Sequence, residues 1–322
     1  MRLRLVREST NIDFFSRAKV WLGISGILMV LALVSFMIQG LNFGIDFQGG
    51  TSIRTQSTQA VDTGTYRAAL EPLELGDVSI TEVFDPNFAA DQNVALVRVQ
   101  AQEGEESVTN ETISAIQGAL RGVDANMSFP SVESVGPKVS GELIKTAAIA
   151  VILAVIAILF YIWLRFEWQF AVGAVLALTH DVLLTVGVFS ELQIKFDLAI
   201  IAALLTIVGY SINDTVIVFD RVRENLRKYK QKPLKDVLNL SINETLSRTL
   251  MTSVTTMLAL LALFVLGGDV IRGFVFAMMW GVFIGTYSSI FVATAILLVL
   301  GVKRDWSKKD PQVGNQYANI DA

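Results

Sequence analysis

Asp214 and Arg248 are the side chains whose type and setting point most directly to chemistry. Asp214 lies in Gly209-Tyr210-Ser211-Ile212-Asn213-Asp214-Thr215-Val216-Ile217-Val218-Phe219-Asp220-Arg221, a stretch that begins as an apolar membrane span. An ionised carboxylate in hydrocarbon is expensive and persists only with a partner, a hydrated cavity or a proton. Arg248 opens the next apolar span. Opposite charges on successive spans indicate a membrane protein that handles protons rather than a passive anchor. Counting places the two at similar depth. With the first of these spans running inward from Asp197, Asp214 is roughly 25 Å along the helix. With the next running outward to Gly268, Arg248 is roughly 30 Å from that end. A snorkelling arginine can cover the difference of about 5 Å. A structural ion pair is the competing reading.

Other polar residues accompany this pair. Ser211, Asp214 and Thr215 share a helix face, and Asn213 lies beside them. Thr245, Arg248, Thr252, Thr255 and Thr256 form a polar stripe on the following span. Such stripes line helix contacts or hydrated paths. His180 and Asp181 sit near the middle of an earlier span. Adjacent residues project about 100° apart, so one of them is expected to face any proton path, as a helper. Ser211, Asn213 and Thr252 are candidate helpers too. Asp220 and Arg221 are expected to anchor the inner surface. Gly281-Val282-Phe283-Ile284-Gly285 is a GxxxG pattern, for which close helix packing is the default.

The elements that must position these residues are membrane helices. The 322-residue chain is 52% hydrophobic and 17% charged, against roughly 25% charged in soluble domains. Its mean hydropathy is +0.53. Six apolar runs are long enough to cross a bilayer: 20–38, 143–164, 170–189, 198–219, 246–266 and 273–300. The first is too long for a signal-peptide core and is read as an uncleaved anchor. Arg2, Arg4, Arg7, Arg17 and Lys19 precede it. Arg221, Arg223, Arg227, Lys228, Lys230, Lys232 and Lys235 fill the loop between the fourth and fifth runs. Lys303, Arg304, Lys308 and Lys309 follow the sixth. The positive-inside rule then places both termini, 1–19 and 303–322, in the cytoplasm. The basic loop lacks interleaved aromatics, which favours anionic lipid over nucleic acid as its contact.

Residues 39–140 form the one large segment outside the spans, and it is acidic. Patterning predicts a strand over 45–55, a helix over 63–73, and strands over 78–83 and 94–100 with a turn at Asp85-Pro86-Asn87. A helix over 108–120 and a strand over 128–135 follow. The βαββαβ order is that of a ferredoxin-like α+β domain. Gly49 and Gly50 join it to the first span, either as a docking turn or as a hinge. There is no cysteine and a single histidine. Thiolate or multi-imidazole metal sites are therefore excluded. No nucleophile–base pair or phosphate loop is evident, so neither catalysis nor a cofactor is expected.

Taken together the motifs resemble the SecD/SecF family, accessory subunits of the bacterial Sec translocase related to resistance-nodulation-division transporters. The resemblance rests on Phe43-Gly44-Ile45-Asp46-Phe47-Gln48-Gly49-Gly50, Val135-Gly136-Pro137, Phe166-Glu167-Trp168, His180-Asp181 and residues 209–225. Ser247-Arg248-Thr249 with Thr252-Ser253, and Gly285-Thr286-Tyr287-Ser288-Ser289, complete it. It implies a multi-pass protein of the inner membrane with residues 39–140 in the periplasm. It also implies a SecD partner completing a twelve-helix unit, the SecYEG channel with YajC and YidC as further candidates, and an unfolded secretory polypeptide as substrate. Proton coupling would fall on Asp214 and Arg248, powering polypeptide release by the proton-motive force. The alternatives are a scaffold without proton work and an exporter of small molecules or lipids.

Overall fold

The structure is a computed structural model describing residues 10–76, 78–83, 88–89, 92–100 and 108–302. The turn at Asp85-Pro86-Asn87 and the tail 303–322 lie outside these residues. Six helical segments are long and apolar enough to cross a membrane. They comprise α1 (Ala18–Gln39), α5 (Pro137–Arg165), α6 (Trp168–Glu191), α7 (Leu198–Lys228), α8 (Leu234–Leu266) and a composite sixth. The sixth is not a single α-helix. It consists of α9 (Asp269–Ser288), a π-helical turn (Ser289–Ala293) and α10 (Thr294–Leu300).

Burial separates the inner helices from the outer ones. α6, α7 and α9 bury their small and apolar faces against one another, whereas Ile27, Leu31, Met37, Ile152, Ile156 and Phe160 on α1 and α5 are exposed. Helices apolar all round suit hydrocarbon contact. Close approach is possible where a side chain is missing. A Cβ on Gly187 of α6 would come within 2.3 Å of the Ala32 Cβ on α1. One apolar core joins Phe166, Phe170, Phe219, Val222, Leu238 and Ile242 at the basic-loop end, capped by Phe14 and Phe15. A second, at the opposite end, gathers Phe47, Phe189, Phe196, Ile200 and Met278.

Between α1 and α5 lies a four-stranded antiparallel sheet with two helices. A one-turn helix, α2 (Ile45–Gln48), is followed by β1 (Gly50–Ser57), α3 (Thr63–Leu70), β2 (Val78–Val83), β3 (Asn93–Val99), α4 (Asn110–Val123) and β4 (Ser128–Val135). The strand order is β2-β3-β1-β4. Ile53 pairs with Val97 and Val132, and Gly50 with Val135. Ile53, Val97, Tyr66, Ile116 and Leu120 form its core, each large side chain contributing about 1.5–3 kcal/mol on burial. Asp62 caps α3 by accepting from the Gly64 amide at 3.0 Å, and Thr109 caps α4 through the Thr112 amide at 3.2 Å.

The strand expected over 45–55 begins only at Gly50. Residues 45–48 form a helical turn instead, closed by the Gln48 amide donating to the Gly44 carbonyl at 3.2 Å and the Gly49 amide to the Ile45 carbonyl at 2.8 Å. The helix expected over 63–73 is α only to Leu70, and Glu71–Leu73 closes it as a 3₁₀ turn.

Candidate functional site

Asp214 is 3% exposed, on the middle of α7. Its Oδ2 is buried and has no hydrogen-bond partner. Ser211 and Thr215 are buried with it, while Asn213 projects to the exposed side. The rotation of α7 is set by α9. A Cβ on Gly281 would come within 2.3 Å of the Ile207 side chain, and one on Gly285 within 3.1 Å of the Ser211 Cβ. The GxxxG pattern is thus the α7–α9 contact, and it aims Ser211 and Asp214 inward.

Arg248 stands on the exposed side of α8. Among the described residues no carboxylate lies within ion-pair distance of it, although it is close enough for its charge to act on Asp214. The direct pair expected from residue counting is therefore not closed. Depth follows from counting, but the rotation of α8 does not, and that rotation turns Arg248, Thr252 and Thr255 outward. The stripe hydroxyls are satisfied by their own helix. Thr252 donates to the carbonyls of Arg248 and Thr249 at 3.1 and 2.9 Å, Thr255 to Met251 at 2.8 Å, and Thr245 to Ser241 at 3.0 Å. Thr256 instead accepts from the Tyr210 hydroxyl at 3.4 Å, linking α8 to α7.

His180 and Asp181 are both fully buried on α6 and touch each other, with Nδ1 and Oδ1 2.9 Å apart. Their side chains fold together into one polar core. Asp181 Oδ2 accepts from Ser211 on α7 at 2.6 Å and from Ser288 on α9 at 2.8 Å. The imidazole stacks on Tyr287, ring centroids 6.0 Å apart. The Tyr287 hydroxyl in turn reaches Ser25 on α1 at 2.9 Å and donates to the Trp21 carbonyl at 3.1 Å. Three helices thus meet around one carboxylate, and α1 joins them through Tyr287. Ser25 and Ser288 escape a reading of sequence alone. The signal for Ser288 was its place one turn beyond Gly285, on the small-residue face of α9.

Gly49 and Gly50 adopt φ of 74° and 124°, conformations that favour glycine. The chain before them is anchored. The Gly44 amide donates to the Phe196 carbonyl at 2.8 Å, and the Phe196 amide to Asn42 at 2.8 Å. Asp46 accepts from the Leu198 amide at 3.2 Å, capping α7 alongside Asp197. Arg98 on β3 feels both Asp46 and Asp197, and its Nε is buried without a partner. At the basic-loop end Asp220 pairs with Arg165 at 3.0 Å, and Arg221 with Glu224 and Glu244 at 2.6 Å each. The segment leading into α1 is strapped to α8. Asn243 accepts from the Ile12 amide and donates to its carbonyl, both at 2.9 Å, and Asn239 accepts from the Phe14 amide at 2.9 Å.

Comparison with known proteins places this geometry. The family described as "Protein export membrane protein SecD/SecF, C-terminal" matches residues 115–303, and the "SecD/SecF GG Motif" matches residues 34–61. Protein translocase subunit SecF of Cereibacter sphaeroides is 64% identical over 321 residues, covering 100% of this chain and 99% of that relative. The Rhodobacter capsulatus SecF subunit is 60% identical, covering 96% of this chain and 95% of the relative. The crystal structure of SecDF, a translocon-associated membrane protein from Thermus thermophilus, superposes with a TM-score of 0.82 at 36% identity. That match covers 93% of this chain but only 40% of the SecDF chain. On the matches over its whole length, the chain belongs to the SecF subunits of the protein translocase, within the SecD/SecF family of protein-export membrane proteins.

Proposed function

We propose that this chain joins SecD to form a proton-driven unit that promotes the export and release of polypeptides on the periplasmic side of the SecYEG channel. One observation carries the reading: Asp214 is buried in the middle of a membrane helix with an oxygen left unpartnered. A carboxyl group so placed can change its state by exchanging a proton, and burial makes that exchange felt by the packing around it. One charge crossing 100 mV supplies about 2.3 kcal/mol, enough to bias two helix arrangements of similar energy. Proton arrival from outside neutralises Asp214 and frees α8 to move against α7. The outer domain then follows through Gly49 and Gly50.

The outward-facing Arg248, Asn213, Thr252 and Thr255 support a SecD partner. A guanidinium and three polar groups on one flank are costly against lipid and are suited to a protein neighbour. SecD would cover this flank and complete a twelve-helix, pseudo-twofold unit of the resistance-nodulation-division type. The remaining 60% or so of the SecDF relative has room for such a half. The antiparallel β2-β3-β1-β4 sheet with α3 and α4 supports a ferredoxin-like reading of the outer domain, placed in the periplasm. Basic residues at the opposite end favour cytoplasmic termini and an inner-membrane location. The role is mechanical rather than enzymatic, needs no cofactor, and leaves YajC and YidC as secondary partners.

The test is Asp214→Asn in proteoliposomes holding SecD and the translocase. Proton-dependent polypeptide translocation is lost while co-purification with SecD persists. Undiminished proton stimulation in that variant overturns the proposal.

A further inference from the structure

The polar core on α6 holds more than a helper residue. His180 and Asp181 are each fully buried, 2.9 Å apart, at the meeting point of α1, α6, α7 and α9. Asp181 accepts from Ser211 and Ser288 through Oδ2 and faces His180 Nδ1 through Oδ1, so its charged form is well provided with donors. When Nδ1–H donates to that carboxylate, the second ring nitrogen keeps its lone pair. That nitrogen, Nε2, is buried and has no hydrogen-bond partner.

We propose that His180 and Asp181 form a second proton-holding site, at which Nε2 of His180 takes up one proton while Asp181 stays ionised. An N–H bond forms at Nε2, the proton coming from water or a hydronium ion in the path. The dyad passes from a net charge of −1 to a neutral imidazolium–carboxylate pair. Release breaks the same bond and restores the lone pair. In a dry site the neutral pair is the form that burial tolerates, which makes uptake at this point reversible rather than prohibitive.

The groups facing the dyad are few. α7 presents Ser211, and Asp214 lies one turn further along the same buried face of that helix. α9 presents Ser288 and Tyr287, the latter stacked on the imidazole. α1 presents Ser25 through Tyr287, and its only ionisable residue is Lys19 near its start. α5 carries no ionisable side chain between Lys145 and Tyr161, and the π turn and α10 carry none. Among the described residues of these elements, the ionisable side chains near the dyad are Tyr287, stacked on the imidazole, and Asp214, one turn beyond Ser211 on α7. Bonded to Ser211, which precedes the acid assigned to coupling by one helical turn, the site lets a proton wait inside the bundle next to the moving element. That use rests on the proposed proton coupling, whereas the uptake itself does not.

The experiment exploits the single histidine. The full-length chain is labelled with ¹⁵N-histidine, assembled with unlabelled SecD in lipid nanodiscs, and the two ring-nitrogen signals are followed from about pH 5 to 8. Nε2 changes from bare to protonated within that window while Nδ1 keeps its proton. Asp181→Asn moves the transition by about 1 pH unit or more. Proteoliposome translocation by His180→Gln shows a shifted pH profile with SecD assembly unchanged. A ring that keeps one protonation state throughout the window, or an unmoved transition in Asp181→Asn, overturns the proposal. The outcomes stay separable from those for Asp214. If Asp214→Asn leaves proton stimulation intact while Nε2 titrates, the coupling role of Asp214 falls and the dyad stands. If Nε2 does not titrate while Asp214→Asn is inactive, the dyad alone falls.

Discussion

The Ser211 hydroxyl donates to Asp181 at 2.6 Å, across the contact between α7 and α6. Ser211 also precedes Asp214 by three residues on the same buried face. One small side chain therefore ties the helix bearing Asp214 to the polar core. In Ser211→Ala, Asp181 loses one of its donors inside the bundle. The cost is about 1–3 kcal/mol, read as earlier thermal dissociation of the purified complex. Ser211→Thr, which keeps the hydroxyl, recovers part of the loss, its extra methyl having to fit where α9 passes α7 at Gly285.

Gly281→Ala drives a methyl group into the Ile207 side chain, where the space is 2.3 Å. Overpacking of this kind costs about 1–3 kcal/mol. Removing the obstacle in Gly281→Ala/Ile207→Ala recovers part of the stability, and a double-mutant cycle on thermal stability measures the coupling. Strict additivity of the two changes would mean that the α7–α9 contact is not made here.

Arg248→Gln leaves the fold of this chain intact, since the guanidinium makes no ion pair with the described carboxylates and is exposed. What it loses is a charge on the flank proposed to face SecD and the field at Asp214. Circular dichroism and thermal stability of the isolated chain stay within about 0.5 kcal/mol of wild type, while co-purification with SecD and proton stimulation both fall.

The outer domain carries its own acid sensitivity. Asp124 accepts from the Ser57 hydroxyl at 2.6 Å, the Asn126 amide at 2.9 Å and the Thr58 amide at 3.0 Å. The Ser57 bond, foremost among these, holds its carboxyl down to about 2 from 3.8. A depressed acid stabilises the fold above its unfolded value and ceases to do so as pH falls through the folded one. Protection of β1 and α4 amides from hydrogen exchange is therefore full above about pH 4 and declines toward pH 2. Asp124→Ala lowers protection at neutral pH and flattens that decline.

Arg98 links the sheet to the α6–α7 connection through the pull of Asp197 and Asp46, while burial pushes its guanidinium below the ordinary arginine value. Arg98→Gln removes the charge that answers both acids. Exchange at the Gly44 and Phe196 amides, which are bonded across this joint, then rises several-fold without a change in the core of the sheet.

Much of the fold was legible because apolar runs and alternation are local signals. The six spans stand out by length and composition, and β2 and β4 follow from simple alternation. The helical turn at 45–48 was not legible, because Ile45-Asp46-Phe47 alternates as a strand does. Its conformation comes from Phe47 packing on Phe189 and Phe196, far along the chain. The burial of Asp214 could be read from its apolar neighbours, but the outward turn of Arg248 could not, since residue counting measures depth and says nothing of rotation. The bonds to Asp181 join residues 30 and 107 positions away. No local pattern announces such partners, whereas the GxxxG spacing did mark the close helix contact that brings them together.

Gly50 pairs with Val135, so the strand entering the outer domain and the strand leaving it are neighbours whose membrane-side ends meet at the same end of the sheet. A load applied to the far end of the sheet would thus be borne by two neighbouring tethers stretched in the same sense. Neither is peeled from the other, because tension divides between them instead of opening the seam. If the domain swings as proposed, the paired strands would carry the pull together, and the slack would lie outside the sheet, in the few bonds flanking Gly49 and Gly136.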